Sequence, residues 1–279
     1  MAARLDEAAL LIGETSPFEA MALGGGDLSS LWRLRFESGQ DVVVKLGGRA
    51  ESEAAMLRAI QQTGASVPPL LAAKGDMLVL GYIPPLSAQT AQSPDAGWIA
   101  LGETLKTLHA RSRAPRYGWD EDYAFGSMPI PNGWAEDWRV FWRDSRLLPC
   151  LDFLPRELAP RVAHLAHRLE RFLPATPRPV LLHGDLWTGN FIATRSDEGA
   201  TQAVLIDPAC TIGDASADFA ILTLFSTPPV SFWQAYGPLP SDYETTINVY
   251  RLWPALVHYR LFGETYRGMV EMTLDALEI

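Results

Sequence analysis

The 279-residue chain reads as an α+β protein of two unequal lobes: a small antiparallel-sheet lobe with one helix over residues 1–83, and a larger, mainly helical lobe over residues 84–279. Three observations predict this. Apolar residues alternate with a period of two through much of the first 83 positions, broken by one Ala/Glu/Leu-rich stretch. Pro84-Pro85 then punctuates the chain. Beyond it the apolar spacing becomes helical, with only two short β-type runs.

Taken in order, residues 4 to 12 read as a helix. The segment "LSSLWRLRFE", starting at Leu28, and "DVVVKL", starting at Asp41, form a hairpin around Ser38-Gly39, preceded by the cluster Gly24-Gly25-Gly26. "RAESEAAMLRAIQQTG" is made of strong helix formers and stops at Gly64. After Pro68-Pro69, "LLAA" and "MLVLGYI" are two more strands split by Lys74-Gly75-Asp76, and residues 81 to 85 form a hinge. In "WIALGETLKTLHA", Ile99, Leu101, Leu105 and Leu108 sit near helical spacing. Helices are expected over 134–148 and 158–173, then a pair of short strands, "PVLLHGD" and "QAVLIDP", and further helices from about 214 onward. Trp119, Trp134, Trp138 and Trp142 form an aromatic cluster expected to be mostly core.

Composition narrows the function classes. With 48% hydrophobic and 20% charged residues the chain has enough apolar material for a packed core and too little charge for disorder. A net charge of -10 and the lack of any basic run argue against nucleic-acid binding, which needs a Lys/Arg-rich face to neutralise phosphates. Cys150 and Cys210 make neither a disulfide framework nor a zinc site and read as buried thiols. The start of the chain carries Asp6 and Glu7 beside a short apolar stretch, unlike a signal peptide, and apolar runs elsewhere stop well short of about 18 residues. A cytoplasmic protein with no membrane partner is expected.

The chemistry concentrates in "LLHGDLWTGN", which contains H-x-D-x-x-x-x-N as His183, Asp185 and Asn190. Asp207 follows seventeen residues after Asn190, at the end of "AVLID". Phosphoryl transfer from a nucleotide requires such a set: a carboxylate to take the hydroxyl proton (Asp185), and an amide and a second carboxylate to hold metal across the phosphates (Asn190, Asp207). Magnesium takes oxygen ligands and keeps several waters, so two side chains plus phosphate oxygens suffice. Asp185 and Asn190 could instead simply cap turns, but an upstream set favours the first reading. Lys45 ends a strand, a glutamate follows on the next helix, and a glycine loop precedes both; these are the parts that hold the phosphates and orient the lysine. Glu51 and Glu53 both lie on that helix, on different faces. His183 is expected to shape the loop rather than act as base. Trp187 can stack on a sugar ring or simply pack, and His258 can face an acceptor pocket or be a core histidine.

This order of parts resembles the protein-kinase-like fold of the aminoglycoside and choline phosphotransferases. Within it, "HGDLWTGN" followed by "IDPA" resembles the fructosamine kinase (ketosamine-3-kinase) family, as do "LGGGDLSSLWRL", "VVVKLGG", "ESEAAMLRAI", "MLVLGYIP" and "YRLWPALVHYRLFGETYRGMV". The resemblance implies ATP- and Mg2+-dependent phosphorylation of the C3 hydroxyl of a ketosamine, free or protein-linked, giving a labile product and hence deglycation. It implies Glu53 as the partner of Lys45, Gly25 and Gly26 on the phosphates, the hinge residues Tyr82 and Ile83 on the adenine, and Trp187 and His258 on the acceptor. Thr211-Ile212 and Ala215-Ser216 depart from the family's aromatic-Gly and basic-Glu pairs, and Gly81 replaces a hinge glutamate. Asp218 stands where the family has a helix aspartate. The alternatives are phosphorylation of an amino alcohol or aminoglycoside, and a nucleotide-binding scaffold without catalysis.

Overall fold

A computed structural model describes residues 1–24, 29–87, 93–111 and 116–279. The chain runs α1 (Ala2–Leu11), β1 (Phe18–Leu23), β2 (Ser30–Phe36), β3 (Asp41–Leu46), α2 (Ala50–Gln61), β4 (Leu70–Lys74) and β5 (Met77–Gly81). It continues through α3 (Ala96–His109), β6 (Tyr123–Phe125), β7 (Met128–Ile130), α4 (Trp138–Trp142), α5 (Ala159–Ala166) and β8 (Val180–Leu182). Then come β9 (Phe191–Arg195), β10 (Thr201–Leu205), β11 (Thr211–Gly213), α6 (Asp218–Phe225), α7 (Val230–Tyr236), α8 (Tyr243–Phe262) and α9 (Arg267–Asp275).

The first five strands form one antiparallel sheet in the order β1-β2-β3-β5-β4. Strand alternation sorts its side chains onto two faces. Val42, Val44, Met77 and Val79 pack with Leu5 and Ala8 of α1 on one face. Leu78 and Leu80 pack with Ala50, Ala54 and Leu57 of α2 on the other. β5 is therefore buried on both sides, and full burial of a side chain such as Leu78 contributes roughly 1.5–3 kcal/mol. Lys45, opposite in parity to Val42, Val44 and Leu46, falls on the α2 face. β1 was not expected as a strand. It is a sheet edge whose residues are mostly exposed, so it shows no apolar contrast between its two faces.

The largest core runs from Met56 and Ile60 of α2 through α3 to the C-terminal helices, centred on Trp138, Phe141, Phe219, Tyr250 and Leu256. α3 packs against α7 and β10. Gly102 makes that approach possible, because a Cβ there would lie 2.5 Å from the carbonyl oxygen of Phe232. Trp138 Nε1 donates to Tyr250 Oη at 2.8 Å, and that hydroxyl donates to Asp214 at 2.7 Å, so the buried polar tips are satisfied. No helix among the described residues is long and apolar enough to cross a membrane. Both cysteines are buried.

Several expectations for this part are corrected. The helix expected over 134–148 starts at Trp138, where Asp137 caps it by accepting from Arg139 N at 2.8 Å. It then loosens into a π-type turn, Arg143–Leu147, and a 3-10 segment, Leu148–Phe153, because Pro149 cannot supply a backbone N–H. Trp138 and Trp142 are core, as expected, whereas Trp134 is exposed. The helix expected over 158–173 shortens to α5 and a single turn, Leu169–Arg171. The two short β runs do not pair with each other: β8 pairs with β11 and β10 with β9, all antiparallel. β6 and β7 make a further unexpected hairpin.

Candidate active site

Three elements converge on Lys45. The ammonium of this β3 residue lies 2.7 Å from Glu53 Oε2 on α2 and 2.8 Å from Asp207 Oδ1, just after β10. Exposure grades across the cluster, from 3% for the Glu53 side chain to 11% for Lys45 and 37% for Asp207, so the cluster opens on the Asp207 side. One ammonium between two carboxylates leaves a net negative charge. Burial acts to lower the Lys45 pKa, but Glu53 and Asp207 together outweigh it and raise it above the ordinary lysine value. Burial also pushes Glu53 upward, against the attraction of Lys45 and with the repulsion of Asp207. Glu51, the rival glutamate, points instead to the amide of Gly75.

The loop after β8 carries the remaining groups. Asn190 Nδ2 donates to the carbonyl oxygen of Asp185 at 2.7 Å and to its Oδ2 at 2.9 Å. Burial, with the nearby charge of Asp207, pushes the Asp185 carboxyl up to about 7, although Asn190 and Lys45 oppose it. His183 is fully buried; its Nδ1 accepts from the Asp185 N–H at 3.3 Å and its Nε2 lies 2.9 Å from the carbonyl oxygen of Ile206. Only the neutral tautomer with the proton on Nε2 satisfies both contacts, and burial lowers the His183 pKa in agreement. His183 thus ties the Asp185 loop to the segment holding Asp207, as a loop-shaping residue should.

Asp218 locks the same loop from below. Its Oδ1 accepts from Gly184 N at 2.8 Å, and its Oδ2 accepts from His183 N at 2.7 Å and lies 3.0 Å from His109 Nε2. Burial alone would raise its pKa, but the His109 contact and these amides hold it below the ordinary value. Gly184 has φ +80, and a Cβ there would fall 2.0 Å from the carbonyl oxygen of Ala209. Asp207 itself adopts a left-handed φ of 53°, unusual for a residue other than glycine, which turns its carboxylate back toward Lys45.

The remaining expected residues distribute unevenly. Gly25 and Gly26 lie outside the described residues. The Tyr82 N–H donates to the carbonyl oxygen of Asp41 at 3.0 Å and its ring is covered by the Arg33 guanidinium at 3.6 Å. Trp187 is 44% exposed and lies over Gly189, whose missing Cβ would strike the ring. His258 stands apart from the catalytic loop: its ring packs at 4.5 Å from Phe225 and also against Phe262 and Tyr266, and its Nδ1 lies 2.8 Å from the carbonyl oxygen of Pro254. Tyr123 of β6 was not singled out from sequence. Burial and the charges of Glu53, Asp207 and Asp185 raise its pKa, with Lys45 opposing, which places it within electrostatic reach of that cluster. A β6 strand of three residues leaves too short a pattern for sequence to reveal.

The donor set suits a metal-bound nucleotide. Asn190 uses its Nδ2 on Asp185, which leaves its Oδ1 free of that contact, and a backbone bond from Ile206 N to Asn190 O at 3.0 Å sets the Asn190 main chain against the residue preceding Asp207. One amide oxygen and one half-exposed carboxylate are hard ligands of the kind Mg2+ prefers. Among the described residues there is no group of three or more His, Cys, Asp or Glu that could hold a metal ion.

A five-stranded sheet with a Lys–Glu pair, set against a loop bearing Asp and Asn, defines the kinase-like phosphotransferases. The structure of choline kinase LicA from Streptococcus pneumoniae shares this fold, with a TM-score of 0.65 at 16% identity over 98% of each chain. Within that class the chain belongs to the fructosamine kinase family, whose description "Fructosamine kinase" matches residues 7–278. It is 32% identical over 274 residues to the Escherichia coli protein named probable ketoamine kinase YniA, spanning 91% of both chains. It also superposes on an inferred fructosamine-3-kinase of Thermobifida fusca with a TM-score of 0.84 at 25% identity, covering 97% of this chain and 96% of that one. The protein is therefore a phosphotransferase, and membership in a kinase family implies ATP as phosphoryl donor.

Proposed function

We propose that this enzyme transfers the γ-phosphoryl group of ATP to the 3-hydroxyl of a ketosamine, free or protein-linked, and so serves deglycation in the cytoplasm. Residues 1–83 act as the nucleotide clamp and residues 84–279 as the catalytic and acceptor part. One observation carries the reading: Lys45, Glu53 and Asp207 meet in one ion-paired cluster while Asn190 grips Asp185 in the adjoining loop.

Lys45 steadies the α and β phosphates, and Glu53 keeps its ammonium in place. Gly25 and Gly26 approach the phosphates, and Tyr82 with the Ile83 backbone borders the adenine. Asn190 and Asp207 are the residues that would hold Mg2+, which neutralises phosphate charge when bound. Asp185 accepts the proton of the acceptor hydroxyl as its oxygen bonds to the γ-phosphorus. The bond from that phosphorus to the β-γ bridging oxygen breaks, ADP departs, and Asp185 later returns the proton to water. Trp187, partly exposed beside Asp185, offers a ring face to the sugar.

The test is an ADP-release assay with fructosyl and ribulosyl amines against choline and aminoglycosides, each with Mg-ATP, followed by NMR of the product. A ketosamine 3-phosphate is expected. Turnover confined to choline or aminoglycosides, or phosphate on another carbon, would sink the assignment.

A further inference from the structure

A small cavity adjoins the catalytic loop, starting at Gly184, the neighbour of Asp185, and walled by Phe125 of β6 and by Trp253. Phe125 lies on the same face of β6 as Tyr123, and their rings meet at 6.4 Å beside the cavity. Its volume is about 30 Å3, room for about two water-sized oxygens.

The polar lining is unusual in sign. Arg146, Trp142 and Thr211 all line the cavity and are 4%, 3% and 3% exposed. Trp142 Nε1 and Thr211 Oγ1 are buried with no hydrogen-bond partner among the described residues. Arg146, turned inward by the π-type turn, lies against the rings of Phe141 and Trp253 and donates only to the carbonyl oxygens of Pro131 and Ser145 and to Asn132 Oδ1. Among the described residues no carboxylate forms an ion pair with it. The acceptors that also line the space are already used: Asp218 takes two amides and His109, and Tyr250 donates to Asp214. A guanidinium and an indole N–H can only donate, and the threonine hydroxyl is able to. Their common partner must therefore accept hydrogen bonds, and negative charge on it would offset the burial of the Arg146 guanidinium, with which neither Asp122 nor the cavity-lining Asp218 forms an ion pair.

We propose that this cavity seats a carboxylate of the acceptor, held by Arg146, Trp142 and Thr211, so that the preferred substrates are ketosamines of free amino acids. The inference rests on the ketosamine reading above and narrows it. The two oxygens of a carboxylate match the space, whereas a whole sugar does not fit; the sugar then lies along Tyr123 toward Asp185. Thr211 is also a position at which this chain departs from the family pattern, so the departure falls in the wall of this cavity. Burial pushes the Arg146 pKa down to about 9, which leaves it charged near neutrality.

The experiment compares kcat/KM of the wild-type enzyme for fructosyl-glycine and for fructosyl-methylamine, which lacks only the carboxylate, and repeats this with ribulosyl analogues. A preference for the carboxylate of at least about tenfold, expressed mainly in KM, is expected for a charge-assisted contact. Arg146→Met should erase the preference; Thr211→Val, close to isosteric, and Trp142→Phe, which removes the indole N–H while keeping an aromatic ring, both leave Arg146 in place and should each reduce it, so the outcome does not hang on one variant folding. Equal kcat/KM for the two acceptors, or an unchanged preference in all three variants, overturns the carboxylate site and leaves the ketosamine assignment standing. Turnover of no ketosamine overturns both.

Discussion

Asn190 holds Asp185 by two bonds from one amide nitrogen, 2.7 Å to its backbone oxygen and 2.9 Å to its carboxylate. The amide therefore sets the direction in which the carboxylate points while keeping its own oxygen for another partner. Asn190→Ala should lower kcat by at least about a hundredfold, the scale of a misplaced general base. It should also raise the Mg2+ concentration needed for half-maximal rate. Steady-state kinetics under Mg2+ titration checks both, and a variant with unchanged Mg2+ dependence would remove Asn190 from the metal site.

The ion pair of Lys45 and Glu53 is buried, and the two partners fail differently when cut. Lys45→Met strands Glu53 at 3% exposure, so it should destabilise the protein by about 3 kcal/mol as well as raise the KM for ATP. Glu53→Gln leaves Lys45 with Asp207, so its effect should fall mainly on ATP KM and much less on stability. Urea denaturation alongside ATP kinetics separates the two; equal losses of stability would contradict the geometry.

Asp185 carries a pH signature. Its carboxyl is raised from 3.8 to about 7 in the folded protein, chiefly by burial. A carboxyl raised in the native state binds its proton more tightly there than in the unfolded chain. Stability is therefore lost as pH climbs from about 4 to about 7 and is flat above. In metal- and nucleotide-free protein, Asp185→Asn should melt higher than wild type at pH 8 and show little gain near pH 4, while turnover falls at least about a hundredfold. A gain independent of pH would show that Asp185 is not the buried acid described here.

Gly184 makes a backbone prediction. A methyl group there meets the Ala209 carbonyl at 2.0 Å in a left-handed conformation, so Gly184→Ala must displace the catalytic loop. A loss of about 2 kcal/mol or more is expected, with turnover falling more than nucleotide affinity. Calorimetry and nucleotide titration decide it; near-wild-type melting and turnover would disprove the strain.

Much of this was legible in the residues themselves. Period-two alternation puts Lys45 on the face opposite Val42 and Val44, and the Ala/Glu/Leu-rich segment forms α2 with Glu53 buried on that side. The H-x-D-x-x-x-x-N spacing places Asp185 and Asn190 in one loop, close enough along the chain for the Asn190 amide to reach Asp185. These are local regularities, and local physics enforces them.

What lay beyond the sequence is set by distant contacts. β8 and β10 pair with β11 and β9 rather than with each other, since three- to five-residue runs bond with whichever edge the surrounding helices bring alongside. Arg146 reads in "WRDSRL" as one more surface arginine; its burial depends on a π-type turn and on Trp253, more than a hundred residues away. Sequence alone determined the candidate residues Lys45, Glu53, Asp185, Asn190 and Asp207 and the elements that carry them, because strand and helix periods act over a few residues. Only the tertiary structure decided the shape and lining of the cavity beside Gly184, because its walls include residues of β6, the turn after α4, β11 and α8, and no short-range rule brings those together.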